Sequence, residues 1–379
     1  MRNKVVDDFD GLYPSCRLIS TLPFRTDYSI KIFGIKVCFH IVGVTCPMKI
    51  EEIIKKSHKG EPFSKDELMQ MLSYPPGSSD SYRLMAEANR ISKELTADQA
   101  EIHAQFALNL APCPRNCAFC SFAQRNRIFN EETRISPKQA IHLARQFEAD
   151  GANAVYVMTT ATYPFELFLE MSREIRRNLK PETTMVANIG DQSRANAQKV
   201  KDVGYAGVYH ALRLREGTNT SISPKARQRS IRNFLDAGLG VGTCVEPVGP
   251  EHSNEEIAEM VLFTGSFNPS FSGAARRIPI PGTAMARLGM ISELRMAQII
   301  AVTRLGVPRT VIGNCTHEPC TLGAMAGANL FWAEMGANPR DTTGKTEEGR
   351  GESVKSCKDL FWEAGWSAWD GPSRYYPCP

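Results

Sequence analysis

"SPKQAIHLARQFEADGANAVYVMTTA", residues 136–161, joins a helical pattern directly to a short apolar, β-branched run. The same order recurs five more times, with the apolar runs in "TTMVANIG", "YAGVYHALR", "LGVGTCVEPVG", "GAARRIPI" and "RTVIGN". Helices of 12 to 16 residues that alternate with short strands indicate βα units around a parallel sheet. This number of units favours a closed barrel, so the predicted fold class is α/β, a TIM-barrel-like (β/α) barrel.

The remaining sequence surrounds this barrel with three further segments. Ser64 and Glu67 form a capping-box pattern at the start of a helical region. The predicted organisation is therefore an N-terminal extension, a helical leader with more than one helix, the barrel and a C-terminal tail, at residues 1–47, 48–100, 101–340 and 341–379 respectively.

The apolar stretch at residues 29–50 is not predicted to cross a membrane. Lys31, Lys36 and His40 interrupt it, and no signal-type cleavage site follows. One alternative is a short hairpin broken at Gly34, since Ile, Val and Phe recur there. Another is that the functional chain starts further on, at the methionine that opens the helical leader.

Composition excludes several function classes. The 379 residues carry a formal charge of only +4, and Lys and Arg are not interleaved with aromatic residues as a nucleic-acid groove requires. The 11 cysteines are too sparse for a disulfide scaffold, and they are clustered, which favours metal binding. We therefore expect a cytoplasmic protein that binds neither nucleic acid nor membrane.

Three of the cysteines stand in "APCPRNCAFC", residues 111–120, directly after the first predicted strand. Thiolates are the ligands that Fe–S clusters prefer, and the C-x3-C-x2-C spacing allows Cys113, Cys117 and Cys120 to bind one cubane while leaving one iron open. The loop follows a barrel strand, where barrel enzymes place their chemistry. A structural zinc site, which would need a fourth ligand nearby, is the alternative.

This motif and the run from about residue 64 to 340 resemble the radical S-adenosylmethionine (radical SAM) superfamily. Within it, the leader helices, the number of βα units and the late segment "GAMAGANLFWAEMGANPRDT" resemble the biotin synthase-like group. The resemblance implies a [4Fe-4S] cluster whose fourth ligand is SAM, reductive SAM cleavage to a 5′-deoxyadenosyl radical, and hydrogen abstraction from a small-molecule or carrier-bound substrate. It also implies a reductant such as ferredoxin or flavodoxin.

The same resemblance implies which residues contact SAM. They lie in the cysteine loop, at the ends of three strands and on one helix, where strand propensity, core packing or a solvated helix face is the alternative explanation. These residues are Asn116, Phe119, Thr159, Thr160, His210, Arg213, Arg227, Arg229 and Glu246.

Two-cluster biotin synthases hold their second, sulfur-donating cluster with three more cysteines and an arginine. The nearest positions here are Met158, Val186, Thr243 and Asn314, and only Cys244 comes within one residue of a match. This departure disfavours a two-cluster biotin synthase.

A different auxiliary Fe–S cluster is one interpretation of the late cysteines. It would use Cys315 and Cys320 with Cys357 or Cys378 as the third ligand. The alternative is that Cys315 is buried, Cys320 caps a turn and the tail cysteines have no shared role.

Three functions therefore stay open. The first is sulfur insertion in cofactor biosynthesis, of the lipoyl or biotin type. The second is a radical SAM mutase, lyase or hydroxylase without sulfur insertion, similar to methylornithine synthase or the hydrogenase maturase. The third is a noncatalytic Fe–S or zinc binding protein.

Overall fold

The computed structural model describes residues 28–32, 35–39, 47–336, 338–345 and 351–377. The chain divides into two units, Met1–Pro47 and Met48–Pro379. In the first unit, strand β1 (Tyr28–Ile32) pairs antiparallel with β2 (Ile35–Phe39), as in the hairpin alternative, while Gly34 lies outside the described residues.

The second unit alternates helices and strands along most of its length. Its helices in the described residues are α1 (Ile50–His58), α2 (Lys65–Ser73), α3 (Ser79–Thr96), α4 (Pro137–Ala149), α5 (Phe165–Arg177), α6 (Arg194–Asp202), α7 (Pro224–Asp236), α8 (Asn254–Gly265), α9 (Glu293–Gly306), α10 (Thr321–Met325) and α11 (Val354–Glu363). Its strands there are β3 (Gln99–Ala107), β4 (Asn109–Leu110), β5 (Thr133–Arg134), β6 (Ala154–Met158), β7 (Thr184–Asn188), β8 (Gly207–Tyr209), β9 (Gly240–Gly242), β10 (Val245–Val248), β11 (Phe271–Arg276), β12 (Gly313–Thr316), β13 (Leu330–Glu334) and β14 (Ser367–Ala368).

Eight parallel strand positions close a barrel in the order β3, β6, β7, β8, β9, β11, β12, β13 and back to β3. Strand β10 continues β9 along the same neighbour, β11. Helices follow the strands on the outside, and apolar side chains fill the layer between them. The predicted TIM-barrel-like fold is confirmed.

The leader helices pack against the outside of the barrel. Helix α2 begins with the predicted capping box, in which the Glu67 carboxylate accepts a hydrogen bond of 2.7 Å from the Ser64 amide. Its apolar face, at Leu68, Met71 and Leu72, is buried, because helical spacing brings these residues to one side.

The C-terminal tail closes the amino-terminal end of the barrel. Tyr375 and Tyr376 are buried there, and a Cβ at Gly207 would lie 2.3 Å from the Tyr376 ring, so the strand needs glycine at this point. Glu101 is fully buried, and it accepts hydrogen bonds from the Ser373 hydroxyl (2.6 Å) and the Arg374 amide (2.9 Å). With this end sealed, the carboxyl end is the one that opens to ligands.

Candidate functional site

The cysteine loop lies at the carboxyl end of the barrel, directly after β3 and β4. Two hydrogen bonds fix the conformation of the loop. The Cys113 amide donates to the Phe122 carbonyl (2.6 Å), and the Asn126 side chain donates to the Cys120 carbonyl (2.8 Å). The thiols of Cys113, Cys117 and Cys120 are free and half-buried, and all three residues line one cavity of about 230 Å³.

Burial keeps two of these thiols protonated while they are free. It raises the pKa of the Cys117 thiol to about 11, and burial together with the neighbouring Cys117 raises the pKa of Cys120 as well. Such thiols become thiolates at neutral pH when a metal takes the place of the proton. The loop therefore has the thiol donors that an Fe–S cluster uses.

The cavity brings together most of the residues for which SAM contacts are predicted from the sequence. They come from the cysteine loop, from the ends of β6, β8 and β10, and from α7. The predicted residues that line it are Phe119, Thr159, Thr160, His210, Arg213, Arg227 and Glu246.

Two predicted residues do not line the cavity. Asn116 has a positive φ of 51°, and its side-chain oxygen accepts a hydrogen bond of 2.9 Å from the Arg125 amide, so it shapes the loop. Arg229 is exposed on α7. Thr160 does line the cavity, but its hydroxyl already accepts from the Asn109 side chain at 2.8 Å.

His210 and Arg227 belong to one buried polar network on the cavity wall. The His210 Nε2–H donates to the Asp191 carboxylate (3.0 Å), and Arg227 donates to His210 Nδ1 (3.1 Å). Burial and the Arg227 charge lower the pKa of His210 to about 3, so its ring is neutral at pH 7. Arg227 also lies 3.3 Å from Asp191, and this internal ion pair holds it in place.

Arg213 supplies a permanent positive charge beside this network. Its guanidinium lies 3.6 Å from the Glu246 carboxylate and 4.0 Å from that of Glu216. Burial alone would lower the pKa of Arg213, but the two carboxylates raise it above its ordinary value. Charged groups of both signs therefore face a partly desolvated cavity, which suits a zwitterionic ligand.

Several further cavity residues were not predicted from the sequence. Asp191, Arg276, Glu334 and Arg340 line the cavity at the ends of β7, β11 and β13 or just after them. Arg276 and Glu334 are charged residues that end a strand, and in a parallel barrel this position indicates the functional face. Asp191 and Arg340 lie further along the loops that follow β7 and β13.

Cys315, Cys320 and Cys357 do not lie in one common site. Cys315 is fully buried inside the barrel, where its sulfur lies 2.9 Å from that of Cys244. Cys320 caps the start of α10 by accepting the Gly323 amide (3.3 Å), and Cys357 is buried on α11, with its sulfur 3.6 Å from the Trp332 carbonyl.

The proposed ligand set of Cys315, Cys320 and Cys357 is therefore not assembled, because each residue belongs to a different element. Cys378 lies outside the described residues. Within the described part of the chain, no compact group of three or more His, Cys, Asp or Glu side chains fits a single metal ion, and no helix there is long and apolar enough to cross a membrane.

Comparison with known proteins agrees with this fold. No protein-family model matches the chain. A biotin synthase from Mycobacterium leprae (strain Br4923) is 23% identical over 275 residues, which cover 70% of this chain and 78% of the relative. Among solved structures, methylornithine synthase (PylB) has a TM-score of 0.71 at 18% identity, covering 85% of this chain and 98% of that chain. The hydrogenase maturase HydG has a TM-score of 0.69 at 16% identity, covering 84% of this chain and 75% of that chain.

These findings agree with the resemblance recognised from the sequence: the chain is similar to biotin synthases in sequence, and it shares its fold with methylornithine synthase and HydG. The similarity is to the biotin synthase-like group, and this sequence departs from two-cluster biotin synthases at Met158, Val186, Thr243 and Asn314.

Proposed function

We propose that this protein is a radical SAM enzyme that acts on a small-molecule substrate held in the barrel cavity. The observation that carries the proposal is that the three cysteines of a C-x3-C-x2-C loop line one cavity at the carboxyl end of a closed barrel. A noncatalytic zinc site is less well supported, because a fourth ligand close to the three thiols is what such a site needs.

The residues present fit a [4Fe-4S] cluster with SAM beside it. Cys113, Cys117 and Cys120 would hold three irons, and the charged wall at Arg213 and Glu246 suits the amino acid end of SAM. When bound, this pair supplies a one-electron cleavage of SAM that yields a 5′-deoxyadenosyl radical able to abstract hydrogen.

The protein's own side chains then orient the ligand and keep water out. Phe119 lies between two of the cysteines and lines the cavity, where an aromatic ring can cover an adenine. The neutral His210 ring is held by Asp191 and Arg227, so the wall keeps one hydrogen-bond pattern at neutral pH. A wall of fixed side chains limits the side reactions of a radical.

For the type of reaction, we favour the second alternative, a mutase, lyase or hydroxylase with a single cluster. The support is the separation of Cys315, Cys320 and Cys357, since sulfur insertion drew its sequence support from their grouping.

Anaerobic reconstitution with iron and sulfide, followed by incubation with SAM and dithionite, tests the proposal. We expect about four irons per chain and formation of 5′-deoxyadenosine, because one cubane contains four irons. About eight irons would instead support sulfur insertion with an auxiliary cluster. Bound zinc without SAM cleavage would refute the proposed enzymatic function.

A further inference from the structure

A second cavity adjoins the one that the cysteine loop lines. Its volume is about 270 Å³, and it lies at the carboxyl ends of β11, β12 and β13, among the loops that follow these strands. Four residues line both cavities, namely Arg276, His317, Glu334 and Arg340. A ligand in the second cavity would therefore lie next to a ligand that is held by the cysteine loop.

The lining of the second cavity has more acidic than basic side chains. It contains Arg276 and Arg340 together with five carboxylates, which are Glu293, Glu318, Glu334, Asp341 and Glu352. Arg276 donates a hydrogen bond to Glu318, so this pair carries no net charge. Arg340 donates to Glu334 in the same way. Both arginines are therefore engaged with carboxylates, and acidic groups remain in excess among the lining residues.

Two of these carboxylates form no ion pair within the part of the chain that the structure describes. Glu293 is the first residue of α9, and Glu352 lies just before α11. Both residues are half-buried, and neither has a basic partner there. A partly desolvated carboxylate without a counter-ion costs free energy, and a cationic ligand with N–H donors recovers it.

A buried hydrogen-bond donor at the same cavity also lacks a partner. Trp332 lines the cavity and is only 1% exposed, and its indole N–H has no acceptor among the described residues. The Trp332 ring stacks on His317, with the ring centroids 4.9 Å apart. Burial, together with the charge of Arg340, lowers the pKa of His317 well below its ordinary value, so His317 adds no positive charge. The indole N–H therefore suits an oxygen atom of the ligand.

We infer that the second cavity binds the substrate, and that this substrate is a small organic amine that also carries an oxygen acceptor. The carboxylates of Glu293 and Glu352 bind its ammonium group, and the indole N–H of Trp332 donates to its oxygen. This inference rests on the proposed function, because it names the substrate class of that same reaction.

A divalent metal ion is the competing occupant of an acidic cavity. The described residues contain no set of three or more His, Cys, Asp or Glu side chains that is compact enough to hold one ion. The carboxylates instead belong to separate elements, at the start of α9, after β12 and before α11. An organic cation with several atoms can contact groups that a single metal ion cannot coordinate together.

Calorimetry with three probes that share a four-carbon chain tests the class of the ligand. The probes are 4-aminobutan-1-ol, butane-1,4-diol, which lacks the ammonium group, and succinate, which has two carboxylates. The reconstituted protein is saturated with SAM and kept without reductant, so that no chemistry occurs. We expect 4-aminobutan-1-ol to bind with a Kd at least about tenfold lower than that of the diol or of succinate. If it does not bind, or if either of the other probes binds as well, the inference is wrong.

The variant Glu293→Gln/Glu352→Gln tests the location of the site. It keeps the size of both side chains and removes both charges, so the Kd of 4-aminobutan-1-ol should rise by roughly tenfold or more, while the iron content and the SAM affinity stay the same. The matched control is Glu170→Gln/Glu363→Gln, which changes two exposed glutamates on the outer helices α5 and α11. It should stay within about twofold of the wild type. Circular dichroism checks that each protein is folded, and an unchanged Kd in the Glu293→Gln/Glu352→Gln variant would overturn the inference.

Two further measurements separate the alternatives. Titration with magnesium chloride tests for a metal site, and Mg²⁺ binding that is lost in Glu293→Gln/Glu352→Gln, with no binding of the amine, would overturn the inference. SAM cleavage with dithionite tests the proposed function. A wild type that cleaves no SAM would refute that function, while the calorimetry, repeated without SAM, would still decide whether the second cavity binds an amine.

Discussion

The two groups of cysteines in this chain look similar in sequence and differ completely in the structure. Cys113, Cys117 and Cys120 lie on one loop and line one cavity. Cys315 and Cys320 are also close in sequence, but one points into the barrel and the other caps a helix. Short spacing predicts a shared site when the residues stay on one loop, and it fails when a strand end and a helix start lie between them.

The largest effect should come from the first group. Replacing Cys117 with Ala should remove the cluster and abolish 5′-deoxyadenosine formation, because a cubane held by three thiolates does not tolerate the loss of one. Iron analysis and product chromatography measure both. Cys357→Ala, a change of the same size at a buried cysteine on α11, is the control and should keep its iron. Equal iron loss in Cys117→Ala and Cys357→Ala would mean that iron binding does not depend specifically on the cysteine loop.

A smaller effect should come from the charged wall beside the loop. Glu246→Ala should weaken SAM binding by roughly tenfold without loss of iron, since a partly buried charge-assisted contact contributes about 1.5 kcal/mol. Equilibrium dialysis with labelled SAM measures the affinity. Glu259→Ala on the exposed face of α8 is the matched control. An unchanged SAM affinity would mean that Glu246 pairs with Arg213 and does not contact SAM.

The sequence predicted the barrel because each βα unit carries its own local signal. It also predicted the cysteine loop and most of its cavity, since residues such as Thr159, Arg213 and Glu246 lie at strand ends and therefore share one face of the barrel. Which side chains pair with each other could not be predicted from the sequence. The partner of Arg227 is Asp191, which lies on a different βα unit, and only the closed barrel brings the two together.

The buried network at His210 should make stability depend on pH. The folded-state pKa of about 3 lies below the value near 6.5 of an unfolded histidine, so the unfolded chain binds the extra proton first. The contribution is complete above pH 6.5 and is lost as the pH falls toward 3. The free energy of unfolding should therefore drop by about 2 kcal/mol from this group between pH 7.5 and 5.

Urea unfolding of the wild type and of His210→Gln measures this contribution. The difference between the two slopes against pH isolates His210 from the other buried histidines. Parallel slopes would mean that His210 has the same pKa in the folded protein as in the unfolded chain.

The smallest effect should come from the second group of cysteines. Cys315→Ala/Cys320→Ala should keep about four irons and full SAM cleavage, because neither thiol faces the other. The double variant loses one buried sulfur and one helix cap, each of which contributes about 1 kcal/mol. Its urea midpoint should therefore fall while its iron content does not. Loss of iron in proportion to the lost thiols would show that the late cysteines do bind a cluster, and it would favour sulfur insertion over the single-cluster reaction.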